Sequence, residues 1–172
     1  MARSVDPLTH LDPSGRPRMV DVGDKPITAR RAVAAGRLSL TMAGWKTLRA
    51  GGVGKGDPLA VAQIAAVQAA KRTADWIPLA HPLALSGVEV RWRQHAKQRV
   101  LEVEVAVRVE GRTGVEMEAL TACSAALLTV VDMLKAVDRG MVIGPVWLRR
   151  KEGGRSGSRR FEDPALATNA RS

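Results

Sequence analysis

The stretch LSGVEVRWRQHAKQRVLEVEVAVRVEG, Leu85 to Gly111, decides the fold class. Its two halves alternate apolar and polar residues around the polar link HAKQ, the pattern of an antiparallel hairpin with one face on a core. That face needs a cover. The next stretch, GVEMEALTACSAALLTVVDMLKAVDRG, predicts a helix over roughly residues 115–137, ended by Gly140. MVIGPVWLRRKE then reads as a last strand. Upstream, Asp57 caps a predicted helix over 58–75 that opens on Pro58, where proline's missing N–H is no loss. Its alanines favour helix and leave little bulk, so a partner helix or a second subunit packs closely against it.

Further out, AGWKTLRAGG suggests a short helix stopped by glycines. MVDVG suggests a short strand, TARRAVAAG a helix with Thr28 as N-cap and Gly36 just past its end, and RLSLTMA, Arg37 to Ala43, another strand. The order of elements gives an α+β domain: an antiparallel sheet with helices packed on one face. Prolines and glycine among polar residues make 1–17 a flexible N-terminal segment. Residues 18–157 form a single domain, and 158–172 read as a disordered basic tail. No internal repeat is visible.

The chain of 172 residues carries 27 Lys and Arg against 17 Asp and Glu, a formal charge of +10, so its surface attracts anions. Four Trp, one Phe and no Tyr argue against single-stranded nucleic acid, which needs stacking platforms. A small phosphorylated ligand fits better. Cys123 is the single cysteine, which excludes an internal disulfide and a thiolate-built metal cluster within one chain. The start lacks a signal-like apolar run, and no stretch approaches a membrane-spanning length of uninterrupted apolar residues; a soluble cytoplasmic protein is the expectation.

Four places invite chemistry. In IPLAHPL, Pro78 and Pro82 hold His81 in stiff, non-helical backbone, either as a rigid turn or as a fixed ligand contact. GGVGKGD carries Lys55 into a helix N-terminus, where free amides favour an anion. It lacks the Walker A spacing, and a flexible connection with a solvated lysine reads equally well. In LLTVVDMLKAV, Asp132 and Lys135 interrupt an apolar run at i, i+3 and can pair, on a solvated stripe or at an enclosed subunit contact. Glu116 and Glu118 open the same helix, where acids complement the dipole without further purpose, and Met117 between them reads as core. Glu118 and Asp132 stand roughly 21 Å apart along a helix axis, too far to meet one small reacting centre, so in one pocket they would serve opposite ends of a large ligand or come from different subunits. Asp21 and Arg30 are isolated charges, and His10 and His95 show no local pattern.

Taken in order, LTHLDPSGRPRMVDV, GKGDPLAVAQIAAVQAAKRT, IPLAHPL, GVEV, GRTGVEMEALTACS, DMLKAVDRGMVIGPV and KEGGRSG resemble the MoaC family, the cyclic pyranopterin monophosphate synthases of molybdenum cofactor biosynthesis. The resemblance runs from about Leu8 to Gly157. It implies a ferredoxin-like α+β fold in a homohexamer, a trimer of dimers with sites at the dimer interface. It also implies a reaction: 3′,8-cyclo-7,8-dihydro-GTP, a GTP-derived small molecule supplied by a radical-SAM enzyme, is rearranged to cyclic pyranopterin monophosphate with release of pyrophosphate. No metal or organic cofactor, nucleic acid or membrane is implied.

On that resemblance Asp132, Lys135 and Lys55 match catalytic positions. Leu79, Ala80, His81, Glu116, Met117 and Glu118 match substrate contacts, and Asp21, Arg30 and Lys151 match further site positions. The sequence departs from the family at Ala80, where cysteine is usual, at Val131, where tyrosine is usual, and at Arg155, where lysine is common. A methyl at position 80 is neither nucleophile nor acid. These departures keep a catalytically silent family member as an alternative, beside a basic nucleic-acid-binding module on the same sheet.

Overall fold

A computed structural model describes residues 14–51, 54, 56–154 and 157–164. Its elements run β1 (Thr28–Ser39), α1 (Met42–Arg49), α2 (Pro58–Lys71), α3 (Thr73–Trp76), β2 (Leu85–His95), β3 (Val100–Gly111), α4 (Glu116–Leu134), β4 (Val142–Glu152) and β5 (Arg159–Arg160). All paired strands are antiparallel, in the order β2-β3-β1-β4-β5. With β5 set aside, the β-α-β-β-α-β sequence and the split order are those of a ferredoxin-like domain. The hairpin forms as its alternation predicts, pairing Val90 with Val105 and Trp92 with Val103.

One helix expectation fails. TARRAVAAG is part of β1, flanked by β3 on one edge and β4 on the other. Alanine-rich sequence favours helix locally, but two hydrogen-bonded neighbours override that preference. The period-two signal is hidden because Val33 and Ala35 are as thoroughly buried as Ala32 and Ala34. Gly36, expected as a helix stop, lies inside the strand under α4. A Cβ there would stand 2.8 Å from Cys123 Sγ and 2.9 Å from Leu127 Cδ1, so glycine lets the helix close on the sheet. Arg37, Leu38 and Ser39 complete the same strand; the expected separate strand to Ala43 ends where Thr41 caps α1. MVDVG forms no strand either: Asp21 Oδ1 accepts the Gly23 N–H at 2.8 Å, a local turn that competes with a ladder.

α2 starts as expected, Asp57 Oδ1 accepting the Leu59 N–H at 2.8 Å. It stops at Lys71, short of 75: Thr73 Oγ1 donates back to the carbonyls of Ala69 and Ala70, and the single turn of α3 follows. The partner that its small residues require is α4, against which Ala62, Ala66 and Ala70 are buried.

α4 covers β1, β3 and β4. Its 19 residues are long and apolar enough to cross a membrane, yet 56% of its apolar stretch is buried inside the domain, as a core helix requires. Beyond its end the buried Asp138 carboxylate accepts the N–H groups of Thr41 (2.8 Å) and Gly140 (2.9 Å), tying α4's exit to α1's entry. The described part of the segment read as a disordered tail contains β5, and the Phe161 N–H donates to the Arg149 carbonyl at 3.0 Å.

Candidate active site

The N-terminal end of α4 gathers most of the candidate residues. Glu118 is only 4% exposed and lines a cavity of about 270 Å³ together with His81, Lys71 and Asp75. Burial pushes the Glu118 carboxyl above the usual carboxylate range; its own backbone bond opposes this, and the nearby Glu116 charge adds to the rise. A carboxyl shifted in this direction keeps its proton to higher pH than a surface glutamate does.

His81 is half-buried and lies in non-helical backbone, as its flanking prolines predict. Its Nε2 lies 2.8 Å from the Val20 carbonyl oxygen. A carbonyl only accepts, so Nε2 carries the hydrogen in this contact, and in the neutral ring Nδ1 is the free acceptor. The same contact brings Val20, the neighbour of Asp21 in sequence, against His81; Asp21 itself is exposed and does not line the cavity. Leu79 and Ala80 precede His81 in a tight turn closed by the Ala80 N–H on the Ile77 carbonyl at 2.9 Å.

A second cluster stands beside the first. Lys151 Nζ meets Glu116 Oε1 at 2.9 Å, and both line a small recess with Arg30. Arg30 Nε and Nη2 donate to the carbonyls of Gly111 and Arg112, each at 3.0 Å, which fixes the guanidinium at the entry to α4. Gly153 and Gly154 make the closeness possible: a Cβ on Gly153 would fall 2.2 Å from the Ala29 carbonyl oxygen, and one on Gly154 2.4 Å from Arg30 Nη1. Met117 is exposed between the two clusters, contrary to its reading as core.

Asp132 and Lys135 do pair, with Lys135 Nζ 2.6 Å from Asp132 Oδ1. Their side chains are 60% and 64% exposed, and α4 runs unbroken between them and Glu118. One chain therefore does not bring the two ends together. Lys55 and Arg155 lie outside the described residues.

Lys71 and Asp75 were not singled out from sequence. Their signal is an i, i+4 pair just before IPLAHPL, across the break between α2 and α3, and it has the look of ordinary surface charge. Cys123 is fully buried, and burial pushes its thiol up to about 12, so it supplies no nucleophile. Among the described residues no group of three or more His, Cys, Asp or Glu is placed to hold a metal ion.

The MoaC family model matches residues 19–154. A relative from Parvibaculum lavamentivorans, named cyclic pyranopterin monophosphate synthase, is 55% identical over 150 residues, 87% of this chain and 94% of its own. Relatives of the same name from Thermomicrobium roseum and Chloroflexus aggregans are 57% identical over 156 residues (91% of this chain, 94% of the relative) and 52% identical over 165 (96% and 100%). The match covers both clusters at the N-terminal end of α4 and the exposed pair at its other end, and the chain belongs to the MoaC family.

Proposed function

We propose that the protein is a cyclic pyranopterin monophosphate synthase: a lyase that converts 3′,8-cyclo-7,8-dihydro-GTP into cyclic pyranopterin monophosphate and releases pyrophosphate. The observation that carries this reading is identity above one half, over nearly the whole chain, to relatives bearing that name. The geometry at α4 is compatible with it. The cavity beside Glu118 offers an imidazole acceptor, an ammonium and two carboxyls, a set suited to repeated proton transfers on a ring system. Among the described residues Arg30 and Lys151 use only part of their donor capacity, leaving N–H groups for phosphate oxygens and a departing pyrophosphate.

The reading places Asp132 and Lys135 at the reacting centre through a second copy. Ala125, small and half-buried, lies midway between Glu118 and Asp132 on α4, and the exposed Leu128 is one turn on. Two copies of α4 crossing antiparallel near Ala125 would set each Asp132–Lys135 pair over the partner's cavity. In that assembly the lysine would act as general acid or base and the aspartate would orient it. Lys55 would join the phosphate contacts, His81 would hold the substrate with little freedom to lose, and three such dimers would form the hexamer in the cytoplasm. Ala80 in this reading makes a van der Waals contact, so turnover proceeds without sulfur there. The test is incubation of the purified chain with the cyclised GTP intermediate: stoichiometric pyrophosphate and the cyclic phosphate product are expected. Absence of both, with the substrate bound, would leave a silent family member.

A further inference from the structure

The sheet face turned away from the helices carries a second concave site. Strand alternation puts Arg37 of β1, Glu102 and Glu104 of β3, Arg91 of β2 and Trp147 of β4 on this face. The C-terminal segment crosses it. β5 extends the sheet beside β4, and Asp163 takes both ends of the Arg37 fork, which also reaches Glu102 Oε2 at 3.0 Å. Strap and sheet enclose a groove of about 430 Å³ in which five arginines face two carboxylates, Glu104 and Asp163. Counting Arg37, Glu102 and Glu152 behind the lining, six arginines still face four acids.

Charge surplus alone names no ligand, but a side chain that lines the groove also carries a buried, unsatisfied donor. Trp147 lines it, is 8% exposed, and is clamped by the Arg37 guanidinium 5.0 Å above its ring. Its indole N–H has no hydrogen-bond partner among the described residues. Buried donors are rarely left so, and an indole N–H can only donate, so the missing partner is an acceptor. Arg160, on the same wall, has no ion-pair partner among the described residues. Arg149 is held in place by Glu104 at 2.7 Å, a guanidinium positioned before any ligand arrives. The volume suits a small molecule, and planar guanidinium forks match phosphate oxygens in pairs.

We propose that this groove is an anion site, separate from the α4 cavity, that takes a small molecule bearing a di- or triphosphate. The Trp147 N–H donates to a phosphate oxygen, and Arg160 supplies the unpaired charge. Phe161 at the rim offers a flat surface where a base would rest if the guest is a nucleotide. The proposal does not depend on turnover.

Its test uses the four indole signals in a ¹⁵N–¹H spectrum of the full chain. The signal absent from Trp147→Phe is assigned, and pyrophosphate, GTP and guanosine are titrated separately. That signal is expected to move with pyrophosphate or GTP, telling free from nucleoside-borne phosphate, and to stay fixed with guanosine. Arg160→Ser, at a surface position, should weaken the response about tenfold, the loss of one charge-assisted contact. Lys135→Ala should leave it unchanged. A Trp147 signal that never moves at pyrophosphate of about 10 mM would overturn the proposal. So would an equal shift with sulfate at matched ionic strength, or a shift that Lys135→Ala abolishes and Arg160→Ser leaves intact.

Discussion

The two ends of α4 carry the same kinds of group in opposite surroundings. At the N-terminal end Glu118 is buried, burial has pushed its carboxyl up, and an imidazole and a lysine line the cavity with it. At the C-terminal end Asp132 and Lys135 meet in the open, more than half exposed. An exposed i, i+3 pair contributes little to stability, about 0.5 kcal/mol or less. The ion pair itself therefore adds little to the stability of one chain, whereas the N-terminal cluster lies around a cavity with a buried carboxyl.

The largest effect that would break this contrast is on turnover. Asp132→Asn and Lys135→Ala should each lower the rate of pyrophosphate release by about 10²- to 10⁴-fold, the usual scale for a lost proton-transfer group. Both should change stability by no more than about 0.5 kcal/mol, since nothing buried is disturbed. Co-expression sharpens the point. Glu118→Gln and Asp132→Asn chains, each inactive alone, should recover about a quarter of wild-type turnover when mixed, because half of the random dimers carry one intact composite site of two. Were each chain to build its own site, mixing would restore nothing.

Stability, a smaller effect, tests what holds the two ends in one frame. Gly36 lies under the middle of α4, and Gly36→Val would drive its side chain into Cys123, Leu127 and Val146. Overpacking of this kind costs about 1–3 kcal/mol, read as a lower urea midpoint. A variant of unchanged stability would show that α4 can lift from the sheet without penalty, and the fixed spacing of its ends would lose its physical basis.

Much of this was legible because periodicity and burial agreed. The hairpin and α4 bury one face each, so the alternation of VLEVEVAVRV and the apolar stripe of the helix are visible in the residues. β1 is different: buried on both faces and rich in alanine, it shows neither period, and only pairing with β3 and β4 makes it a strand. At the site, proline stiffness singled out His81, and i, i+3 spacing foretold the Asp132–Lys135 contact. Lys71 and Asp75 escaped notice because their importance comes from the chain folding back to bring Glu118 alongside, which no local pattern records. The resemblance marked Glu118, but its burial, which is what alters its acidity, is a property of tertiary packing.

The subtlest prediction concerns that acidity. A carboxyl whose folded proton affinity is raised favours the protonated folded state, so its contribution is fully present below the ordinary carboxylate value of 4.5 and is lost as pH rises through the folded value. Glu118→Gln does not titrate. Its urea midpoint should therefore rise relative to wild type as pH increases above 4.5, with the difference closing in more acidic solution. The opposite slope, wild type gaining on the variant as pH rises, would mean that a cation sits over Glu118 in the assembled protein. If Lys135→Ala then reversed that slope, the cation would be the partner's lysine, and the exposed end of one α4 would be the missing wall of the other's cavity. If Lys135→Ala left the slope unchanged, the cation would have another source, and the antiparallel crossing at Ala125 would have to be abandoned.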